Sequence, residues 1–160
     1  MNETRFGEGV QIVPLLVKEG AVNDASAYVK VNNAHWVTLM VAFGDADTAI
    51  TITVESSSAG SSNASETTIP FVYRLSGAAS AGSDTWSAVT TADSTGFALT
   101  AATDTGKVAL IEIDPRSLAD AHNYLRVVTA ATSYNAPTPA EAIVAFLNTR
   151  YAQLLPLSST

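Results

Sequence analysis

Residues 36–55 read WVTLMVAFGDADTAITITVE, and they contain the two clearest strand patterns of the chain. In residues 36–43, apolar side chains occupy both alternating sets of positions apart from Thr38, which is typical of a central strand covered on both faces. Residues 50–55 alternate between branched apolar and polar side chains, which predicts a strand with one apolar face and one solvated face. Gly, Asp and Thr between the two runs favour a turn. The stretch therefore makes a layered β fold the starting hypothesis.

Similar patterns recur along the rest of the chain. We predict further strands at residues 10–17, 27–31, 69–75, 86–90, 96–100, 107–113 and 124–129. Pro14 lacks the N–H group that a ladder needs, so it marks the first run as an edge strand or a bulged strand. Asp114 before Pro115 predicts a turn or a single helical turn over 114–120. About eight or nine strands at roughly ten-residue spacing predict an all-β fold, an antiparallel sandwich or barrel.

The C-terminal segment supports two predictions. Thr138, Pro139 and Glu141 have the spacing of a capping box with proline at the first helical position, which favours a helix. As a strand, residues 143–151 place Ile143, Ala145, Leu147, Thr149 and Tyr151 on one face, and Val144 and Phe146 on the other. Local signals favour the helix, and both alternatives stay open on this evidence.

The patterns divide the chain into three parts. Residues 1–9 are polar and carry two glycines, so we predict a flexible N-terminal arm. Residues 10–155 form a single β-sandwich domain, and residues 156–160 form a C-terminal tail. Within the domain, residues 56–68 read SSSAGSSNASETT, which lacks periodicity and predicts a mobile loop on one edge of the fold.

Composition narrows the classes of function. The chain of 160 residues has a net charge of −7 and only eight Lys and Arg residues, which excludes nucleic acids and anionic membranes as expected partners. It has no cysteine, so disulfides and thiolate metal sites are excluded. We expect neither a signal peptide nor a membrane-spanning helix, because the sequence shows no signal-peptide pattern and no apolar run long enough to cross a membrane. Charged residues make up only 14%, and the resulting surface suits either packing against other subunits or an ordinary neutral exterior.

The sequence predicts no catalytic residue, no cofactor and no metal ligand. His35 and His122 are the two histidines, and both lie in turn-like contexts, so we expect surface turn residues and no zinc site. Asp45, Asp47 and Glu55 lack the spacing of an EF-hand loop. Serine and aspartate are abundant, but no nucleophile elbow accompanies them, and a catalytic triad is recognised by geometry.

Aromatic and basic residues within the strands have two interpretations each. Trp36, Trp86, Tyr28, Tyr73 and Tyr151 could form a sugar-stacking platform, but core or interface positions are the expectation. Arg74, Arg126 and Arg150 could pair with acidic groups of another subunit, and solvated strand faces are the default prediction.

The order of these segments resembles small structural proteins of tailed-bacteriophage virions. The resemblance rests on an N-terminal apolar run, WVTLMVAFG, ITITVES, a W-x-x-V near the middle, KVALIEID, YLRVVTA and a closing LNTRY, and it spans most of the chain. It implies a β-sandwich of jelly-roll-like form with at most one short helix or helical turn. It also implies that the segment ending in LNTRY is the last strand of a sheet.

The function implied by this resemblance is that of a non-enzymatic virion component, most simply a capsid decoration or cement protein that stabilises the head shell. Its partners would be further copies of itself, with a trimer favoured, and other virion proteins such as the major capsid protein. It would be located in the virion, after assembly in the cytoplasm of the bacterial host. The possible assembly contacts are Arg5, Phe6, Pro14, Arg74, Arg150 and Tyr151. A head-spike base, a tail or head–tail fitting and a carbohydrate-binding β-sandwich module are the alternatives.

Overall fold

The computed structural model describes residues 10–19, 23–43, 49–61, 65–77, 85–131 and 140–149. The strands in chain order are β1 (Val10–Glu19), β2 (Asn23–Ala25), β3 (Val29–Lys30), β4 (Ala34–Phe43), β5 (Ile50–Ser57), β6 (Thr67–Thr68), β7 (Phe71–Leu75), β8 (Thr90–Ala92), β9 (Phe97–Leu99), β10 (Val108–Ile113), β11 (Tyr124–Ala131) and β12 (Ala140–Thr149). The predicted all-β fold is confirmed. Several of the strands have only two or three residues, which explains why their number exceeds the eight or nine expected from sequence patterns.

The strands form two antiparallel sheets that pack as a β-sandwich. Sheet A has six strands in the order β1-β12-β4-β10-β7-β8. Sheet B is built on the path β2-β11-β5-β6, with β3 also paired to β11 and β9 also paired to β5. The two stretches that open the sequence analysis therefore belong to different sheets, since β4 is central in sheet A and β5 is central in sheet B.

The core lies between the sheets and consists of one alternating set of side chains from each central strand. Val37, Leu39 and Val41 of β4 face Ile52 and Val54 of β5 across this layer, and all five are at most 1% exposed. A stacked pair of rings closes one end of the layer, where Tyr73 of β7 and Phe97 of β9 have centroids 3.9 Å apart. Burial of these apolar side chains provides the main stabilisation of the fold.

The C-terminal segment is a strand. β12 lies between β1 and β4, and its pairing with β4 runs from Glu141 opposite Phe43 to Thr149 opposite Ala34. Ile143, Ala145 and Leu147 are buried in the core, as the strand alternative predicts. The helix favoured by the capping-box residues is wrong, because a strand in this position gains hydrogen bonds from two neighbours and buries one full face.

Helical structure is limited, within the described residues, to two short turns. The turn predicted over 114–120 is present as a 3-10 turn at Pro115–Ser117, capped by the Asp114 side chain. Hydrogen bonds from Arg116 to that carboxylate lower the pKa of Asp114 to about 2. A second turn, α1 (Ala101–Asp104), was not expected from the sequence.

Residues 56–68 are more ordered at their two ends than the sequence suggests. Ser56 and Ser57 are fully buried residues of β5, and Thr67–Thr68 pair with Glu55 and Ser56 as β6. The loop prediction holds for residues 58–61 and 65–66, whereas residues 62–64 lie outside the described part. The predicted arm (1–9) and tail (156–160) also lie outside it.

Candidate functional site

The face of sheet A that points away from sheet B is also apolar. Strand pairing places Ile12, Phe146 and Thr38 in one row across β1, β12 and β4. The next row contains Pro14, Val144, Met40, Leu110 and Arg74, and it runs from the edge strand β1 to β7. We call this surface the outer face of sheet A. Residues 36–43 are apolar on both sides of β4. Sheet B covers the side that carries Val37, Leu39 and Val41, and the outer face is the other side.

The outer face of sheet A contains a groove with a volume of about 520 Å³. Seven of its lining residues are apolar and three are uncharged polar residues: Val10, Trp36, Met40, Trp86, Val108, Leu110, Phe146, Thr38, Ser76 and Asn148. None of the described residues that line it is charged. The size is within the range of pockets that hold small molecules or protruding side chains of a partner.

Trp36 and Trp86 both line this groove, although they are distant from each other in the sequence. Trp36 is the first residue of β4 on the outer face. Trp86 is held at the opposite side of the groove by an antiparallel bridge with Ser76, the residue after β7. Two further large apolar side chains are exposed near the edges of sheet A, Ile12 on β1 at 49% and Val89 directly before β8 at 52%. The apolar surface therefore runs across β1, β12, β4 and β10 to Trp86, and Arg74 and Glu112 lie between it and β8.

Charge is nearly absent from the outer face of sheet A. Among the described side chains of its strands, Arg74 and Glu112 are the charged groups on this side, and their Nη2 and Oε2 atoms are 3.8 Å apart. The pair is neutral as a unit. In a chain with a net charge of −7, this face is thus a low-charge surface that costs little to desolvate.

Two of the predicted assembly contacts lie on this same face. Pro14 is exposed on the edge strand β1, and Arg74 lies on β7 at the other end of the row that contains Met40 and Leu110. The register of β1 shifts directly after Pro14, which agrees with the prediction of an edge or bulged strand. The other predicted contacts, Arg5, Phe6, Arg150 and Tyr151, lie outside the described residues.

Sequence reasoning missed the residues that make the groove. Met40, Val108, Leu110 and Phe146 each belong to a strand that is apolar at both alternating sets of positions, and this was the available signal. For residues 36–43, this signal led to the prediction of a strand covered on both faces. The described residues supply only one covering layer, so the second apolar set is left at the surface.

The outer face of sheet B carries a polar network around Arg126. The guanidinium Nε lies 2.7 Å from Glu55 Oε2, Nη2 lies 2.9 Å from Glu66 Oε2, and its carbon lies 4.8 Å above the Tyr28 ring. The Arg126 side chain is only 14% exposed, so the expectation of a solvated strand face is wrong here. The network fixes residue 66, next to β6, onto the face of β11.

Tyr28 completes this network by donating its hydroxyl to the Glu66 carboxylate. Burial raises the pKa of Tyr28 to about 12, and the hydrogen bond to Glu66 adds to the shift. The arrangement holds a protonated phenol beside a carboxylate at neutral pH. The network holds Glu66 in place, since its members satisfy one another.

The histidines differ from each other in environment. His35 is exposed, as expected for a surface residue, although it lies within β4. His122 is half-buried, and its Nδ1 lies 2.8 Å from Ser56 Oγ. His122 closes a turn as predicted, since its backbone N–H donates to the Ala119 carbonyl, but its side chain is more buried than expected. A serine and histidine at this distance are the elements of a nucleophilic pair, but Ser56 is 0% exposed, so its hydroxyl cannot reach a substrate.

The described residues contain neither a metal-binding cluster nor a membrane-spanning helix. No group of three or more His, Cys, Asp or Glu side chains there could hold a metal ion. Asp45 and Asp47 lie outside the described ranges. In the same part of the chain, none of the helices has the length and apolar character needed to cross a membrane.

Comparison with known proteins gave no relatives for this chain. No protein family, no curated protein sequence and no solved structure matched it.

Proposed function

We propose that this chain is a non-enzymatic structural protein of a tailed-phage virion, which decorates and stabilises the head shell by repeated contacts between subunits. The order of its sequence segments supports this proposal, as does a sandwich of short strands with a low-charge surface. Many copies on one particle would multiply individually weak contacts through avidity. Symmetric placement on a shell favours a cyclic homo-oligomer, and a trimer is the expected form.

The observation that carries the proposal is the apolar outer face of sheet A with its groove. Tryptophan, phenylalanine and methionine are the residue types enriched at protein interfaces, and Trp36, Trp86, Met40 and Phe146 line this one. A contiguous exposed apolar patch is a marker of an interaction site. The groove is lined by two side-chain hydroxyl groups and one side-chain amide, and such a small number of polar groups favours a packing surface over a catalytic site.

A carbohydrate-binding module is the second candidate, because Trp36 and Trp86 line the same face of one sheet. Paired aromatic rings on a sheet face can stack on sugar rings. Besides the two indole N–H groups, the described residues of the groove offer Thr38, Ser76 and Asn148 as hydrogen-bonding side chains, and the Ser76 hydroxyl already donates to Gly77 and accepts from Val108. This shortage of free polar groups makes a sugar, which needs many hydrogen bonds, the weaker match.

The test is the presence of the chain in particles. Particles of a tailed phage whose genome encodes it are purified by density gradient, and their proteins are quantified by mass spectrometry. We expect a stoichiometry that is a simple fraction of the major capsid protein, and we expect the purified chain to cosediment with heads that lack it. Absence from particles that contain the capsid protein overturns the proposal. Titration of tryptophan emission with a glycan panel tests the second candidate, and a saturable shift with one glycan would favour it.

A further inference from the structure

We infer that copies of this chain join head to tail through the two edges of sheet A, so that β1 of one copy adds as a further strand to residues 85–92 of the next copy. The inference rests on the proposed function, because it names the contact that holds the expected homo-oligomer together. The direction of the strands, the exposure of the two edges and their lack of charge support it.

Residues 85–92, which end in β8, form one edge of sheet A. They run antiparallel to β7, and the Thr85 carbonyl and the Ser87 N–H both form hydrogen bonds on the β7 side. Backbone groups of successive strand residues point to opposite sides, so the N–H and C=O groups of Trp86 point away from β7. Within the described part of the chain, no strand pairs with that side.

β1 forms the opposite edge, and its open stretch is short. Its single partner among the described strands is β12. The Leu15 carbonyl accepts from the Ala27 N–H, and Pro14 has no N–H group to donate, so residues 10–13 are the stretch that can pair with a further strand. Strands of two or three residues pair elsewhere in this domain, so a stretch of this length can form a ladder.

The two edges point in opposite directions along the sheet. Sheet A has six strands, and every neighbouring pair is antiparallel. In a ring whose axis runs along the strands, each copy keeps its strand direction, so β1 of one copy lies antiparallel to residues 85–92 of its neighbour. The junction therefore continues the antiparallel pattern of the sheet. Head-to-tail contacts close into a ring when the rotation between copies permits, which agrees with the expected trimer.

The large apolar side chains that stay exposed lie at these two edges. Among the described residues they are Ile12 on β1, at 49%, and Trp86 and Val89 in the segment 85–92, at 43% and 52%. Head-to-tail pairing sets Ile12 of one copy beside the edge that carries the other two, and apolar cross-strand neighbours stabilise a pair of strands. Pairing of two identical edges would cover one of these sets and leave the other exposed. Head-to-tail contact covers both.

Neither edge carries the charges that keep edge strands apart. Residues 10–17 and 85–92 contain no Lys, Arg, Asp or Glu. Proteins commonly place such charges on exposed edge strands to prevent pairing with other chains. An edge without them accepts the backbone of an extended strand, and the opposite edge of a second copy provides a strand of the required direction.

Two lysine variants separate head-to-tail pairing from other contacts. Ile12→Lys blocks the β1 edge and Val89→Lys blocks the other edge, and both replace exposed side chains. In sedimentation experiments we expect the original chain to form an oligomer, and each variant to raise the concentration of half-association by about 30-fold or more, the effect of losing a hot-spot residue. A one-to-one mixture of the two variants should form dimers, since each supplies the edge that the other lacks.

Ala98→Lys is the matched control, because Ala98 is exposed on β9 in sheet B. It adds the same charge at a distance from both edges of sheet A, and it should associate like the original chain. Circular dichroism shows whether each lysine variant keeps the β fold.

A cross-link measures the same contact without the lysine variants and decides the matter if one of them does not fold. The chain has no cysteine, so Gln11→Cys and Thr91→Cys each introduce a single thiol at an exposed position of one edge. We expect a short bismaleimide to join the two variants to each other in a mixture. Cross-linking of either variant to itself would indicate pairing of identical edges and overturn the inference.

The remaining outcomes separate the inference from the proposed function. A chain that stays monomeric at high concentration overturns the inference, as does a lysine variant that associates like the original chain or a mixture that stays monomeric. If that monomeric chain is present in virions, the inference fails and the proposed function survives. Head-to-tail association of a chain that is absent from virions supports the inference and overturns the proposed function.

Discussion

Ser56 and His122 lie 66 positions apart in the sequence, and a hydrogen bond of 2.8 Å joins the Ser56 hydroxyl to His122 Nδ1. Ser56 is completely buried near the end of β5. A second hydrogen bond lies beside the first, because the backbone N–H of Asn123, the residue after His122, donates to the carbonyl of Ser57. The two bonds attach the turn before β11 to β5. This turn also contains Ala121, which has a positive φ of 67°, a conformation that costs a non-glycine residue energy.

Loss of the Ser56 hydroxyl should therefore weaken the fold. Ser56→Ala leaves His122 Nδ1 without its partner in a half-buried site, and we expect the free energy of unfolding to fall by about 1–3 kcal/mol. Ser58→Ala is the control, since Ser58 is exposed and bonds to exposed Ser65, and its effect should stay within about 0.5 kcal/mol. Urea denaturation measures both, and equal effects would show that the Ser56 bond is not a structural attachment.

Arg126 should contribute more to stability than a surface arginine. Arg126→Met leaves the Glu55 and Glu66 carboxylates, 17% and 26% exposed, close together without their shared cation. We expect a loss of about 1–3 kcal/mol, below the value for a fully buried pair because some solvent remains. Arg116→Met removes the solvent-exposed pair with Asp114 and should destabilise the fold clearly less than Arg126→Met, because solvent screens the exposed charges. Thermal unfolding at matched ionic strength separates the two cases.

Tyr28 should ionise only at a pH well above the ordinary value for tyrosine, because of its burial and its hydrogen bond to Glu66. Its pKa of about 12 in the folded chain lies above the ordinary value of 10.0. Its contribution to stability is complete below pH 10 and is lost as the pH rises toward 12, because the unfolded chain releases the proton first. Ultraviolet absorbance of tyrosinate follows the titration. Glu66→Gln should lower this pKa, and an unchanged late titration would mean that burial alone sets it.

Gly96 is required by its backbone. Its φ is +81°, and a Cβ atom at this position would lie 2.0 Å from the Ile52 carbonyl oxygen. Gly96→Ala should cost about 2–4 kcal/mol, since strain and overpacking add. At Gly60 a Cβ would instead meet the edge of the Tyr124 ring at 2.9 Å, and a ring can move. Gly60→Ala should therefore cost clearly less, and a reversed order in chemical denaturation would contradict this account.

The fold class followed from the sequence because hydrophobic alternation is a local property. The state of residues 140–149 did not, because the capping signals at Thr138 and Glu141 are local while the pairing of β12 with β1 and β4 is not. A helix cap contributes about 1 kcal/mol, which is small beside the burial of Ile143, Ala145 and Leu147. The strand assignment was available only through the resemblance to virion proteins.

The contacts around Arg126 and the groove were beyond sequence reasoning for a related reason. Arg126 meets Glu55 because the register of β11 and β5 sets them opposite each other. Trp36 and Trp86 share a surface because β4, β10 and β7 are neighbours in sheet A and Trp86 pairs with Ser76, the residue after β7. Alternation predicts which residues share a face of one strand, but it does not specify the order of strands in a sheet.

The position of β12 has a consequence for how the chain reaches its native state. Among the described strands, β12 is synthesised last, yet it occupies an interior place in sheet A and is the sole partner of β1. Nascent chains that end before residue 140 therefore hold β1 and β4 with open hydrogen-bonding edges, which are the places where chains aggregate. Sheet A closes only when β12 inserts between strands made long before it, so folding is late, dominated by distant contacts and slow.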